Sequence, residues 1–366
     1  MRRLRKNPLL GVACAAAALA CASSREIAPA SPPGAPAQDA NPALLASPSA
    51  AAPAAETPPA ASSSASQSAA TPGAVAAAPA RPFPPPDIAP PFERSKAAGD
   101  GRWTPLAAQA GGVASSGAPV MVTTTLHPHR ESRFMALTLV AVDLSRASLH
   151  FMPGTADVTQ KDLPFSPGLV PANEQSRLLA AFNGGFMPRH GRYGMRLGEV
   201  SVLPPRKDAC TIAIARDGSV KIRSVEVLEA SLPEALAVRQ TPPCLLEQGA
   251  VHPLLEQGRD KAWAGHTPGV VTRRRSAIGL DPSGLTLFYA VGIETNAKLL
   301  AEGMRFAGAS DAAELDINWN WTKFFTFATG ENGALVVGNT LVPVEHAKSA
   351  YVGQASDRDF FYLLSR

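Results

Sequence analysis

Residues 22 to about 100 of this chain are dominated by Ala, Pro and Ser, and that stretch limits what the rest can fold into. Pieces such as Pro-Pro-Gly-Ala-Pro and Arg-Pro-Phe-Pro-Pro-Pro hold too few large apolar side chains to bury the area that would offset their ordering entropy. Proline also fixes φ and removes an N–H. The stretch predicts an extended, disordered tether, partly polyproline II, with no repeat of structural period. Folding is left to the C-terminal portion of about 260 residues, a length that suits one large domain or two small ones. The expected boundaries are a tether over 21–102 and a folded domain over 103–366, beginning at Trp103.

The first twenty residues have the pattern of an export signal. Arg2, Arg3, Arg5 and Lys6 precede a short apolar run from Leu9 to Ala20. A membrane span needs about 20 apolar residues, so the run is too short for one. Ala18-Leu19-Ala20 is a small-x-small cleavage site followed at once by Cys21, which resembles a bacterial lipoprotein signal with Cys21 as the lipid-bearing residue. Simple cleavage after Ala20 is the alternative. The expected location is therefore exported: periplasmic, anchored to the outer membrane through Cys21, or secreted. The formal net charge is +4. Removing the signal takes away its four basic residues, and 4 − 4 = 0 leaves a neutral mature chain. A neutral chain gives no electrostatic basis for nucleic-acid binding. Of the four cysteines, Cys14 leaves with the signal and Cys21 is the lipidation candidate. Cys210 and Cys244 remain as a pair expected to form a disulfide in an oxidising compartment, with two buried thiols as the alternative.

Beyond Trp103 the pattern is rich in strands. Strands are predicted over Phe134–Leu144 and Leu178–Phe186, the latter running into a turn at Asn183-Gly184-Gly185. Hairpins are predicted over Thr211–Arg223, turning at Asp217-Gly218, and over Ser276–Val291, turning through Asp281-Pro282-Ser283-Gly284. Asn296–Phe306 fits an amphipathic helix ending near Gly308. Further strands are expected at 314–321, Thr322–Phe327, Ala334–Val337 and Phe360–Leu364. The predicted class is mixed α/β (α+β): a sheet-dominated single domain with few helices.

Three polar clusters interrupt apolar elements. Asn183-Gly184-Gly185-Phe186 ends a strand with an amide and two glycines that allow close backbone approach; a plain turn is the simpler reading. Arg273-Arg274-Arg275 enters a strand with donors suited to phosphate or carboxylate; a solvated charge run is the simpler reading. Glu314-Leu315-Asp316-Ile317-Asn318-Trp319-Asn320-Trp321 alternates polar and apolar throughout. As one strand it would place Glu314, Asp316, Asn318 and Asn320 on one face. Trp319 and Trp321 would lie on the other, expected in the core. The seven histidines show no metal-ligand spacing, so no cofactor is expected. A divalent ion shared by Asp316, Glu314 and a substrate phosphate is left open.

In order and spacing these clusters resemble the phosphodiester glycosidase family, whose pattern runs Asn-Gly-(Gly/Asp)-Phe-Phe, Arg-(Thr/Ser)-Ala-(Ile/Val)-Gly and Asn-Leu-Asp-Gly-Gly-Gly-Ser. The three fall on Asn183–Phe186, Arg275–Gly279 and Glu314–Asn320. The chain departs where the family has a glycine run after the aspartate: here the residues are Ile317, Asn318, Trp319 and Asn320. The resemblance implies hydrolysis of a sugar-1-phosphodiester in an envelope or extracellular glycan. The expected catalytic residues are Asp316 as the principal carboxylate, Glu314 as the second, and Arg275 on the phosphate. Same-face neighbours on one strand lie about 7 Å apart, near the inverting carboxylate separation of roughly 6.5–9.5 Å. Asn183, Gly184, Gly185, Asn318, Asn320 and Lys323 are the expected substrate contacts, with His190 secondary. The competing reading is a non-catalytic glycan-binding envelope lipoprotein, favoured by the loss of the glycine run.

Overall fold

The computed structural model describes residues 82–106, 119–264 and 272–366; the signal, Cys21 and most of the expected tether lie outside them. Among these residues the chain forms three antiparallel sheets and few helices, the sheet-dominated α+β class expected.

The largest sheet has eight strands. In spatial order they are Thr104–Pro105, Met121–Leu126, Leu137–Asp143, Thr286–Thr295, Arg273–Leu280, Asp311–Ile317, Leu246–Glu247 and Ala250–Val251. A second sheet orders Val200–Leu203, Met195–Leu197, Ala235–Thr241, Cys210–Ala215 and Val220–Ser224. The third orders Leu335–Thr340, Phe324–Thr329, Leu178–Asn183, Phe360–Ser365 and Ala147–Met152. Side chains from all three sheets meet in one core. Val140, Ile278 and Leu315 come from the first, Ile212 and Ile222 from the second, and Phe182, Phe324 and Phe361 from the third. The helix Ala297–Phe306 covers the other face of the large sheet, burying Leu300 and Met304 against Leu139, Phe288 and Trp263. Asn296 caps it: its Oδ1 accepts the Leu299 N–H at 2.9 Å, one of the donors a helix start leaves unpaired. Gly308, at φ +99°, takes the left-handed conformation that ends the helix.

The predicted hairpins form where turn residues and β-branched runs coincide. Phe134 does not join its predicted strand: pairing begins at Leu137, and Phe134 is largely exposed. The expected tether does not extend to residue 102. Phe83 and Ile88 pack on the helix-side core, and buried Asp100 binds the His127 ring at 2.8 Å. Sparse aromatics among prolines are enough here because the apolar surface of the folded domain receives them. Cys210 and Cys244 form the expected disulfide, with Cα atoms 4.6 Å apart. No helix among the described residues is long and apolar enough to cross a membrane.

Candidate active site

The strand carrying the predicted acidic residues is shorter than its alternation implied. Asp311–Ile317 pairs with Arg273–Leu280 and is buried along its whole length. It stops at Asn318, which has φ +78°, a left-handed conformation that Asn tolerates better than most residues. The Asn318 N–H still donates to the Arg274 carbonyl at 2.8 Å, and the Asn318 carbonyl accepts from Trp321 N–H at 3.3 Å. Residues 318–321 are therefore a turn. Asn318, Trp319 and Asn320 are exposed and Trp321 is half-buried, so the expected four-residue polar face and tryptophan core do not exist. Alternation continued in sequence past the point where the backbone left the sheet.

The first motif turns out to join sheets. Asn183 is buried, and its amide is fully engaged: Nδ2 donates to Ser276 Oγ (2.9 Å) and Gly184 O (3.0 Å). Its Oδ1 accepts from Tyr289 OH and Lys323 N–H, each at 3.0 Å. This corrects its expected role on sugar hydroxyls, since no donor or acceptor is left over. Gly184 and Gly185 likewise face protein. A Cβ on Gly184 would lie 2.0 Å from Asp359 Oδ2, and one on Gly185 would lie 2.9 Å from the Arg239 guanidinium. The Gly185 N–H donates to Asp359 Oδ2 at 2.9 Å.

Arg275 and Glu314 are also corrected. Their side chains are 1% and 0% exposed and pair with each other, Nη1 to Oε1, at 2.5 Å. Arg275 Nη1 also donates to the Trp263 carbonyl at 2.7 Å. Neither is among the residues that wall the cavity reached by Asp316. Burial pushes the Glu314 carboxyl up to about 7 against the pull of Arg275.

Asp316 does reach a cavity. This space, of about 310 Å³, is walled by Asp316, Asn318, Trp321, Arg358, Arg273 and His190, with Phe186 and Tyr193 among the apolar residues. One Asp316 oxygen pairs with Arg358 Nη1; the other accepts the Ile317 N–H at 2.8 Å. Burial raises the Asp316 carboxyl to about 6, outweighing the Arg358 charge and the Ile317 hydrogen bond; Asp359 raises it further. Arg358 is clamped on its other side: its guanidinium carbon lies 3.4 Å from the Trp321 ring centroid, a stacked cation–π contact. Arg358 Nε is buried without a hydrogen-bond partner. Lys323 is half-buried behind this wall, 5.9 Å from the Trp321 ring centroid, and burial lowers its pKa. His190 is exposed at the rim, and partial desolvation with nearby arginines lowers its pKa. A larger groove of about 580 Å³ is lined mainly by threonines, with Arg102 and Asn339. It holds no carboxylate, whereas the smaller cavity meets Asp316, with its raised pKa, beside Arg358 and is the chemical candidate.

Arg358, Asp359 and Arg239 were missed in the sequence. The signal was present: Asp357-Arg358-Asp359 abuts the apolar strand beginning at Phe360, and Arg239 is a lone charge inside Ala235–Thr241. Arg239 and Asp359 form a buried pair, Nε to Oδ2 at 2.7 Å, and Arg239 Nη2 donates to the Phe186 carbonyl at 2.6 Å. Among the described residues no group of three or more His, Cys, Asp or Glu side chains is placed to hold a metal ion.

Residues 176–316 match the family model described as phosphodiester glycosidase. That match ends on Asp316, where this chain departs from the family's glycine run. No curated protein matches the chain. Among solved structures, one similar chain is the zebrafish N-acetylglucosamine-1-phosphodiester alpha-N-acetylglucosaminidase catalytic domain, auto-inhibited by its pro-peptide. It is 16% identical with a TM-score of 0.44, over 71% of this chain and 87% of that one. Another is a hypothetical protein from Synechocystis, 12% identical with a TM-score of 0.44, over 67% of this chain and 62% of that one. The family resemblance read from the motifs is thus matched by a family model over residues 176–316, the span that holds the first two motifs and reaches Asp316.

Proposed function

We propose that the Asp316 cavity hydrolyses a sugar-1-phosphodiester at its anomeric carbon. The observation that carries this reading is the meeting of Asp316 and Arg358 at the cavity wall, with the buried Nε donor unpartnered. The bond broken is that between the anomeric carbon and the phosphate oxygen. The phosphomonoester leaves with the bonding electron pair, and water supplies the new anomeric oxygen. A phosphate leaving group is a weak base, so it needs charge stabilisation more than a proton. Arg358 and Arg273, both on the cavity, supply that charge in place of the buried Arg275. Asp316 accepts the proton from the attacking water, the general-base role open to it above its pKa of about 6. Asn318, at the rim, is placed for sugar hydroxyls, with Asn320 beside it in the same turn.

The setting is part of the same proposal: an exported, envelope-tethered hydrolase acting on glycan phosphodiesters. Its supports are the N-terminal signal pattern with Cys21 and the Cys210–Cys244 disulfide. The test is turnover of aryl and alkyl sugar-1-phosphodiesters by the purified chain. Asp316→Asn is expected to lower kcat by about 10²–10⁴-fold, and Arg358→Ala to raise KM and lower kcat together. Folding of both is checked by circular dichroism. Unchanged turnover in the two variants would sink the assignment. Binding of the phosphodiester without product release would favour the glycan-binding reading.

A further inference from the structure

Where the family has glycines, this chain builds a turn of Asn318, Trp319, Asn320 and Trp321. Asn318 and Trp321 line the cavity that holds Asp316. Trp319 sits between them in sequence and is 53% exposed, an uncommon placement for so large an apolar ring. It is also held in place. The Arg274 guanidinium carbon lies 5.2 Å from its ring centroid, and Arg274 Nη1 donates to its carbonyl at 3.3 Å and to Pro343 O at 2.8 Å. Arg274 itself is 1% exposed, so the ring rests on a buried cation. The two neighbours of Trp319 are exposed amides, which donate and accept hydrogen bonds. An exposed aromatic face flanked by amides, in the same turn as two residues that line the cavity, suits a pyranose ring, which has apolar C–H bonds on one face and hydroxyls at the edge. Trp321 is half-buried, with Arg358 on one face at 3.4 Å, so Trp319 is the ring of the pair that stands open to solvent.

We propose that Trp319, with Asn318 and Asn320, forms an outer sugar subsite that binds a second pyranose ring of the substrate. The chain is thereby selective for a glycan longer than a single sugar. This rests on the proposed hydrolysis at Asp316 but concerns the rim, and its failure is separable from failure of that reading.

The experiment compares two probes, the 4-nitrophenyl phosphodiesters of a single hexopyranose and of the matching trisaccharide, across a panel of common hexoses and N-acetylhexosamines. The native chain is expected to prefer the longer probe. In Trp319→Ala the ratio of kcat/KM for long over short probe is expected to fall about tenfold, mainly through KM. Trp319→Phe is expected to recover part of it. A ratio near one in the native chain across the panel, or an unchanged ratio in Trp319→Ala, overturns the subsite. If neither probe is turned over, the hydrolysis reading fails, and the subsite is judged by calorimetric titration with the neutral trisaccharides. Binding that is lost in Trp319→Ala and partly kept in Trp319→Phe supports it; binding equal in all three, or absent, overturns it.

Discussion

Asp316 is 4% exposed, with a guanidinium on one oxygen and an amide N–H on the other, yet its carboxyl is raised to about 6. Water lost on burial costs the charged form more than Arg358 returns. A raised folded-state pKa means the folded chain holds this proton more tightly than the unfolded one. The group's contribution is full below its ordinary value of 3.8 and is lost as pH rises to about 6. Between pH 4 and 7, stability of Asp316→Asn relative to the native chain should therefore move in the variant's favour by about 1–3 kcal/mol, read by urea unfolding at stepped pH. The same pKa sets an acid limb: kcat/KM should rise through about pH 6 in the native chain. The alternating segment drew attention to Asp316, and the structure puts that residue on a cavity wall. Arg275 drew attention in the same way, and the structure buries it on Glu314. A charged residue in a strand declares that it has a partner, but not whether that partner is a ligand or Glu314.

At the scale of elements, the segment after Ala235–Thr241 governs the cavity wall. Pro242 lines the cavity. Pro243 accepts the Trp263 indole N–H at 2.8 Å, and the Trp263 carbonyl in turn holds Arg275. Cys244 bonds this segment to Cys210 at the start of its neighbouring strand, closing a loop with a separation of 34 residues. Replacing both cysteines with Ala should lower stability by about 3–4 kcal/mol on the chain-entropy account. Melts of the native chain with and without reductant provide the check, and the variant should be indifferent to reductant. The hairpins at Asp217-Gly218 and Asp281–Gly284 were readable because turn residues act locally. The break at Asn318 was not, because nothing in an alternating string says where pairing with Arg273–Leu280 runs out. Met195–Leu197 went unread because a strand of three residues gains its identity from the sheet it joins.

For the whole molecule, the three sheets are fastened at the residues of the first motif. Asn183 reaches Ser276 of the large sheet, and Ser276 Oγ donates to the Asp316 carbonyl at 2.8 Å. The Gly184 carbonyl accepts the Asp316 N–H at 2.9 Å. Arg239 of the second sheet pairs with Asp359 beside the third. Both members of that pair are 1% exposed. Removing one leaves the other charged and buried, so Arg239→Ala should cost about 3–5 kcal/mol in urea unfolding. A cost under 1 kcal/mol would show that the sheets do not depend on this junction.

The sequence by itself determined the sheet-rich class, the disulfide pair and the helix that ends near Gly308, since these follow from local periodicity, cysteine count and turn chemistry. The tertiary structure alone decided what the motif residues do. Asn183, Gly184 and Gly185 spend their donors and close contacts on other sheets, and Arg275 and Glu314 spend their charges on each other. Arg358, more than forty positions after Asp316 in the chain, arrives beside it at the cavity. The physical reason is that a side chain's chemistry is local, while its partner and its exposure to solvent are set by contacts between elements distant in sequence.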